Sequence, residues 1–167
     1  MNTYFDLFQL PAQFVLDSNV LVQHYRTLAE ACHPDKFAAA DAFAQKQAMM
    51  MTATINEAYR VLNDPLNRAA YLLQQAGIDA DAPEHTHYPP EFLMQQMAWR
   101  EALAEAGAEK DEAALMDLSA EIGAAQNDLL NELTTAFTKN DLNQAADWVR
   151  QGRFLHKLQQ EIQAALP

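Results

Sequence analysis

One cysteine, Cys32, and four glycines are all that 167 residues hold of either type. A lone thiol excludes an internal disulfide and any cysteine-only zinc site within one chain. Scarce glycine, set against abundant Ala, Gln, Leu and Met, favours helix over strand. No glycine-rich phosphate loop and no internal repeat is present. No apolar run approaches the roughly 20 residues of a membrane span. The opening MNTYFDLF lacks the basic and apolar regions of a secretory signal, so a cytoplasmic protein is expected. Positive charge is scarce too: 11 Lys and Arg stand against 23 Asp and Glu, a net charge of −12. That balance argues against binding a phosphate backbone. Half of the residues are nonetheless hydrophobic, enough to argue against disorder and to furnish one or two small cores.

The acidity is uneven. Residues 1–75 carry five Lys and Arg against seven Asp and Glu, whereas residues 76–167 carry six against sixteen. The two halves therefore present different surfaces. Helix signals run through both. A short helix is expected over 3–10, ended by Pro11, and a second from Asp17 or Ser18 to 32, with Val20, Leu21, His24, Tyr25, Leu28 and Ala31 or Cys32 on one stripe. HPDKF reads as a loop. A third helix is expected over 41–62, with Met50, Ala53, Ile55, Ala58, Val61 and Leu62 as its apolar material. Asp64-Pro65 starts a fourth, which Gly77 closes. The proline-bearing acidic stretch 76–89 reads as a linker. Beyond it, helices are expected over 90–106, interrupted by Gly107, then 109–139 and 142–166, forming an antiparallel three-helix bundle. The fold class is all-α, with an N-terminal domain over 1–75 and a C-terminal one over 90–167.

The informative segment is YRTLAEACHPDKF, in which His33-Pro34-Asp35 sits between two long helices. Proline fixes a backbone angle and removes a donor, so the imidazole and carboxylate beside it have restricted geometry at an exposed tip. The segment resembles the J-domain, whose helical hairpin displays this tripeptide to trigger ATP hydrolysis in a DnaK-type chaperone. The whole chain narrows the likeness. YFDLFQLP, LAEACHPDKF, ATINEAYRVLNDPLNRAAYLL, EFLMQQMAWREAL and RFLHKL resemble, in the same order, the blocks of the HscB family of iron–sulfur co-chaperones.

That resemblance implies two partners: an HscA/DnaK-type chaperone ATPase and an IscU-type iron–sulfur scaffold. It implies no cofactor, no metal, no catalysis of its own, no nucleic acid and no membrane, and a monomer is expected. His33, Pro34, Asp35 and Lys36, with Arg26 and Lys46, would meet the chaperone. Leu93, Met94, Met97 and Phe154 would grip the scaffold, with Arg100 and Glu101 at the rim. Helical periodicity alone would instead assign Leu93, Met94 and Met97 to a bundle core. Two departures stand out. The helix before His33 offers only Arg26 and the titratable His24 where the family carries several cations. Ala98 stands where relatives often have an acid.

Three other readings are open to these residues. A J-protein serving a different client would share the first domain. Cys32 beside His33 and Asp35 could suggest a small hydrolase or metal site, but sequence neighbours usually point apart, and a cysteine on an apolar stripe is ordinary core. His85 and His87, in the acidic stretch, read as solvated rather than ligating. Tyr59, Trp99 and Trp148 read as core or near-core aromatics.

Overall fold

Among the described residues, five aspartates and a threonine start six of the seven α-helices. Thr3 caps α1 (Tyr4–Leu7) in a reciprocal capping box with Asp6. Asp17 caps α2 (Ser18–Ala31) and Asp41 caps α3 (Ala42–Asn63). Asp64 receives the Asn67 amide at 2.8 Å in the first turn of α4 (Pro65–Gln75). Asp111 caps α6 (Glu112–Thr138) and Asp141 caps α7 (Leu142–Ala165). Only α5 (Pro90–Ala108) begins without a side-chain cap, on the Pro89-Pro90 pair. Each carboxylate satisfies an amide that the helix itself leaves unpaired. The structure, a computed structural model, describes residues 3–82 and 88–167, and every regular element among them is helical. His85 and His87 lie outside the described residues.

The helix ends correct two expectations. Gly107 does not interrupt α5, which runs through it to Ala108. The reversal is made by Lys110, at φ 52°, with the Asp111 amide closing back onto the Ala106 carbonyl at 2.9 Å. Asn140, at φ 54°, does the same for α6, and the Asp141 amide reaches Ala136 O at 2.8 Å. Both are left-handed helix stops followed at once by the next cap. α1 is likewise shorter than expected: Gln9, at φ 55°, turns the chain before Pro11 is reached. Gly77, at φ 86°, closes α4 as expected.

The chain divides into two compact units, Met1–Leu72 and Leu73–Pro167. In the first, Phe5 and Phe8 of the α1 segment pack with Leu21 of α2 and Ile55, Ala58 and Leu62 of α3. Tyr25 stacks on Tyr59 with ring centroids 4.0 Å apart, and its hydroxyl donates to Asn56 Oδ1. These contacts hold α2 against α3 as a hairpin. The buried stripe of α3 is Ala48, Ile55, Ala58 and Leu62; Met50 and Ala53, also among its apolar residues, face outward. Met50 lies two residues, about 200° of helical rotation, past Ala48.

Arg68 of α4 ties the unit's far end. Its guanidinium donates to Phe14 O and Leu62 O, both at 2.6 Å, and lies over the Phe14 ring. Burial pushes its pKa below the usual arginine value, against an opposing pull from Asp64. Arg68→Met leaves two carbonyls without their donors. It is expected to cost about 1–3 kcal/mol in chemical denaturation. A change below about 0.5 kcal/mol, the range of ordinary surface substitutions, would show that water replaces the guanidinium.

In the second unit α6 and α7 supply most of the core: Leu115, Leu118, Ile122, Leu129 and Leu133 meet Val149, Leu155, Leu158 and Ile162. Ser119 and Gln159 exchange two hydrogen bonds across that seam, each at 3.0 Å. α5 contributes Trp99 and Ala106. Before α5, Ala80 and Ala82 are buried, and Asp81 accepts from Arg153 Nε at 3.0 Å.

Candidate functional site

The turn between α2 and α3 presents the tripeptide. α2 stops at Ala31, and the Cys32 carbonyl accepts the Thr52 hydroxyl of α3 at 3.1 Å. HPDKF is not an irregular loop: Pro34–Phe37 form one 3-10 turn with Pro34 opening it and His33 as its cap. His33 Nδ1 accepts the Asp35 amide at 3.2 Å. That bond needs the Nδ1 lone pair, which leaves Nε2–H as the ring's free donor. Asp35 Oδ2 stands 3.6 Å from the same nitrogen. The two side chains are 57% and 93% exposed. On the α3 side, Gln45 Nε2 braces the loop at Ala38 O and Ala40 O. An exposed imidazole and carboxylate therefore project from a hairpin tip whose backbone is held at both ends.

Arg26, Lys36 and Lys46 are exposed, and among the described residues none has an ion-pair partner. His24 does not join them: its Nδ1 is 2.5 Å from Phe8 O, so it donates to the backbone that closes α1. Cys32 packs against the core while His33 faces solvent, so the pair makes no nucleophile and base. Among the described residues no cluster of three His, Cys, Asp or Glu side chains could hold a metal ion.

In the second unit α5 exposes Leu93, Met94 and Met97 by 43%, 71% and 72%. Glu101 and Ala98 are exposed beside them. Phe154 differs from these. It is half-buried on α7, edge-on to Phe92 at 5.7 Å and stacked near Trp99 at 6.5 Å. The Arg100 guanidinium covers its ring at 5.3 Å and pairs with Glu161 of α7. Trp99 Nε1 donates to Glu121 Oε1 at 3.1 Å, fixing the indole beneath. The expected patch thus has an exposed aliphatic half on α5 and a supported aromatic half shared with α7.

Nothing in the sequence singles out Thr52, Gln45, Glu121 or Glu161, which support the two candidate sites. Phe92 and Trp99, seven residues apart on one helix, carried a legible signal. Glu161 carried none, because its partner Arg100 lies 61 residues away. No helix among the described residues is long and apolar enough to cross a membrane.

Comparison with known proteins bears on both units. Residues 3–71 match the family model described as DnaJ domain, and residues 88–163 match the HSCB C-terminal oligomerisation domain. The chain is 55% identical over 166 residues to the co-chaperone protein HscB homolog of Neisseria meningitidis, covering 99% of this chain and 100% of that one. Among solved structures it resembles chaperone HscB from Vibrio cholerae, with 39% identity, 98% and 96% of the two chains covered, and a TM-score of 0.85. It also resembles human co-chaperone protein HscB, with 28% identity, 98% and 82% covered, and a TM-score of 0.91.

Proposed function

We propose that this chain, which belongs to the HscB family of J-domain co-chaperones, binds an IscU-type iron–sulfur scaffold and delivers it to an HscA/DnaK-type chaperone, whose ATP hydrolysis it triggers. The J-domain, over residues 1–75, acts on the ATPase through His33, Pro34 and Asp35, with Lys36, Arg26 and Lys46 supplying positive charge. The domain over 90–167 takes the scaffold on Leu93, Met94, Met97 and Phe154, rimmed by Arg100 and Glu101. The chain works as an adaptor in the cytoplasm. It performs no chemistry of its own and carries no cofactor.

The observation that supports the reading most is the braced tip: His33 and Asp35 are exposed on a backbone held by a 3-10 turn, a threonine clasp and a glutamine brace. Such a tip suits insertion into a partner with little backbone ordering at binding. The scaffold assignment gains support from large apolar side chains left in water on α5, since exposed apolar patches mark interaction sites. The test is steady-state ATP turnover by the chaperone, with this chain alone and with scaffold added. Stimulation by the chain, raised further by scaffold, is the expected result. Stimulation that scaffold leaves unchanged would point to a different client.

A further inference from the structure

Methionine usually fills irregular gaps in cores. Here every described methionine is on the surface: Met49, Met50 and Met51 on α3, Met94 and Met97 on α5, and Met116 on α6. The cores are built of Leu, Ile, Phe, Val, Trp and Ala instead. Two of these thioethers, Met94 and Met97, lie three residues apart on one helical face, the most exposed apolar side chains of the α5 patch. An accessible thioether is open to oxidation, and the product is reducible again by sulfoxide reductases.

We propose that Met94 and Met97 are a reversible, peroxide-sensitive element of the scaffold-binding surface, whose oxidation releases the scaffold. This rests on the reading that the α5 patch binds the scaffold. In each step a sulfur lone pair attacks one oxygen of hydrogen peroxide. The S–O bond forms and the O–O bond breaks. Sulfur gives up two electrons to become a sulfoxide, and the departing hydroxide takes the proton of the transferred oxygen and leaves as water. A dithiol-dependent reductase reverses the change, oxidising two thiols to a disulfide and releasing water.

The sulfoxide oxygen is a strong acceptor on a side chain that has to be buried when the scaffold docks. Burying it without a donor is unfavourable. Arg100, the cation of the patch, is already engaged by Glu161 and the Phe154 ring. Leu93 cannot be oxidised in this way, so two of the three exposed aliphatic anchors change polarity and one stays. Leucine would supply similar volume without the thioether's reactivity. The thioether is therefore the feature that couples this surface to oxidant.

The full-length chain, treated with hydrogen peroxide and followed by peptide mass spectrometry, provides the test. Conversion of Met94 and Met97 is expected to weaken scaffold binding by about tenfold or more, which is 1.4 kcal/mol or more. Sulfoxide reductase is expected to restore it. The Met94→Leu/Met97→Leu double variant, compared with its own untreated value, is expected to lose nothing on treatment, although Met49, Met50, Met51 and Met116 still oxidise. Saturating scaffold should slow oxidation at Met94 and Met97 and leave the other four unprotected. Unchanged affinity with both sulfoxides formed overturns the proposal, as does an equal loss in the leucine variant. An untreated chain that fails to bind scaffold removes the patch reading and this one with it. Binding that is tight but insensitive to peroxide removes this one alone.

Discussion

His33→Gln is expected to bring chaperone ATP turnover down to its unstimulated rate while leaving the fold and scaffold binding in place. The imidazole is 57% exposed, and its one hydrogen bond is the 3.2 Å cap to the Asp35 amide. It belongs to neither the Phe5–Leu62 core nor the Tyr25–Tyr59 stack. Losing an exposed cap costs about 0.5–2 kcal/mol at most, and glutamine's amide oxygen can replace part of it. What glutamine cannot replace is the ring itself, with Nε2–H at a fixed distance from a backbone that Pro34 and the 3-10 turn hold rigid. The effect is therefore large on the partner's chemistry and small on this chain. Steady-state turnover, a thermal melt and a scaffold titration on the same sample separate the cases. If the variant melts with the parent and still stimulates the chaperone near the parent level, the tripeptide is an ordinary helix–helix turn and the trigger lies elsewhere.

The all-α class and the helix starts were legible because both are local. Asp17, Asp41, Asp64 and Asp141 each sit where a run of helix formers begins, and a capping carboxylate reaches only two or three residues along the chain. Helix ends were less legible. A left-handed stop favours glycine, so Gly107 drew the reading; yet Lys110 takes that conformation, while the stop at Asn140 falls in the expected break between 139 and 142. The cost of positive φ in a residue with a side chain is of order 1 kcal/mol, less than the packing secured by bringing α6 back against its neighbours. Apolar content does not by itself give burial: Met50 and Ala53 are core material in composition, but lie off the Ala48–Leu62 stripe.

For the two candidate sites, the exposed residues could be named from the sequence and their supports could not. His33, Pro34 and Asp35 stand out as a motif between two long helices, whereas periodicity alone places Leu93, Met94 and Met97 in a core, and only the family resemblance sets them on the surface where the structure has them. Thr52, Gln45, Glu121 and Glu161 carry no such signal. A threonine, a glutamine or a glutamate on a helix is ordinary until a distant carbonyl, indole or guanidinium meets it, and that meeting is a tertiary event. The same holds for Phe154. Sequence spacing cannot tell an exposed anchor from a ring wedged between Phe92, Trp99 and Arg100.

That distinction changes what alanine substitutions across the patch should do. Leu93 and Met94 are 43% and 71% exposed, so truncating them removes little that folding had buried. Each is expected to leave the melting temperature within about 1–2 °C, because surface changes stay within about 0.5 kcal/mol. Each is nonetheless expected to weaken scaffold binding by about 1–3 kcal/mol, the range of interface anchors, or roughly fivefold to 150-fold. Phe154→Ala should behave differently. It strips the support from Phe92 and Trp99 and leaves the Arg100 guanidinium without its ring, so stability and affinity should fall together. The folding loss should stay below the about 3–5 kcal/mol of a fully buried phenylalanine, since the ring is only half covered. Phe154→Leu keeps apolar bulk and should recover most of the stability while binding stays weak. The readout that decides the matter is affinity measured well below the melting temperature, on the folded fraction. Leu93→Ala and Met94→Ala variants that melt early but bind normally when folded would mean that the α5 residues hold this unit together and that the scaffold docks elsewhere.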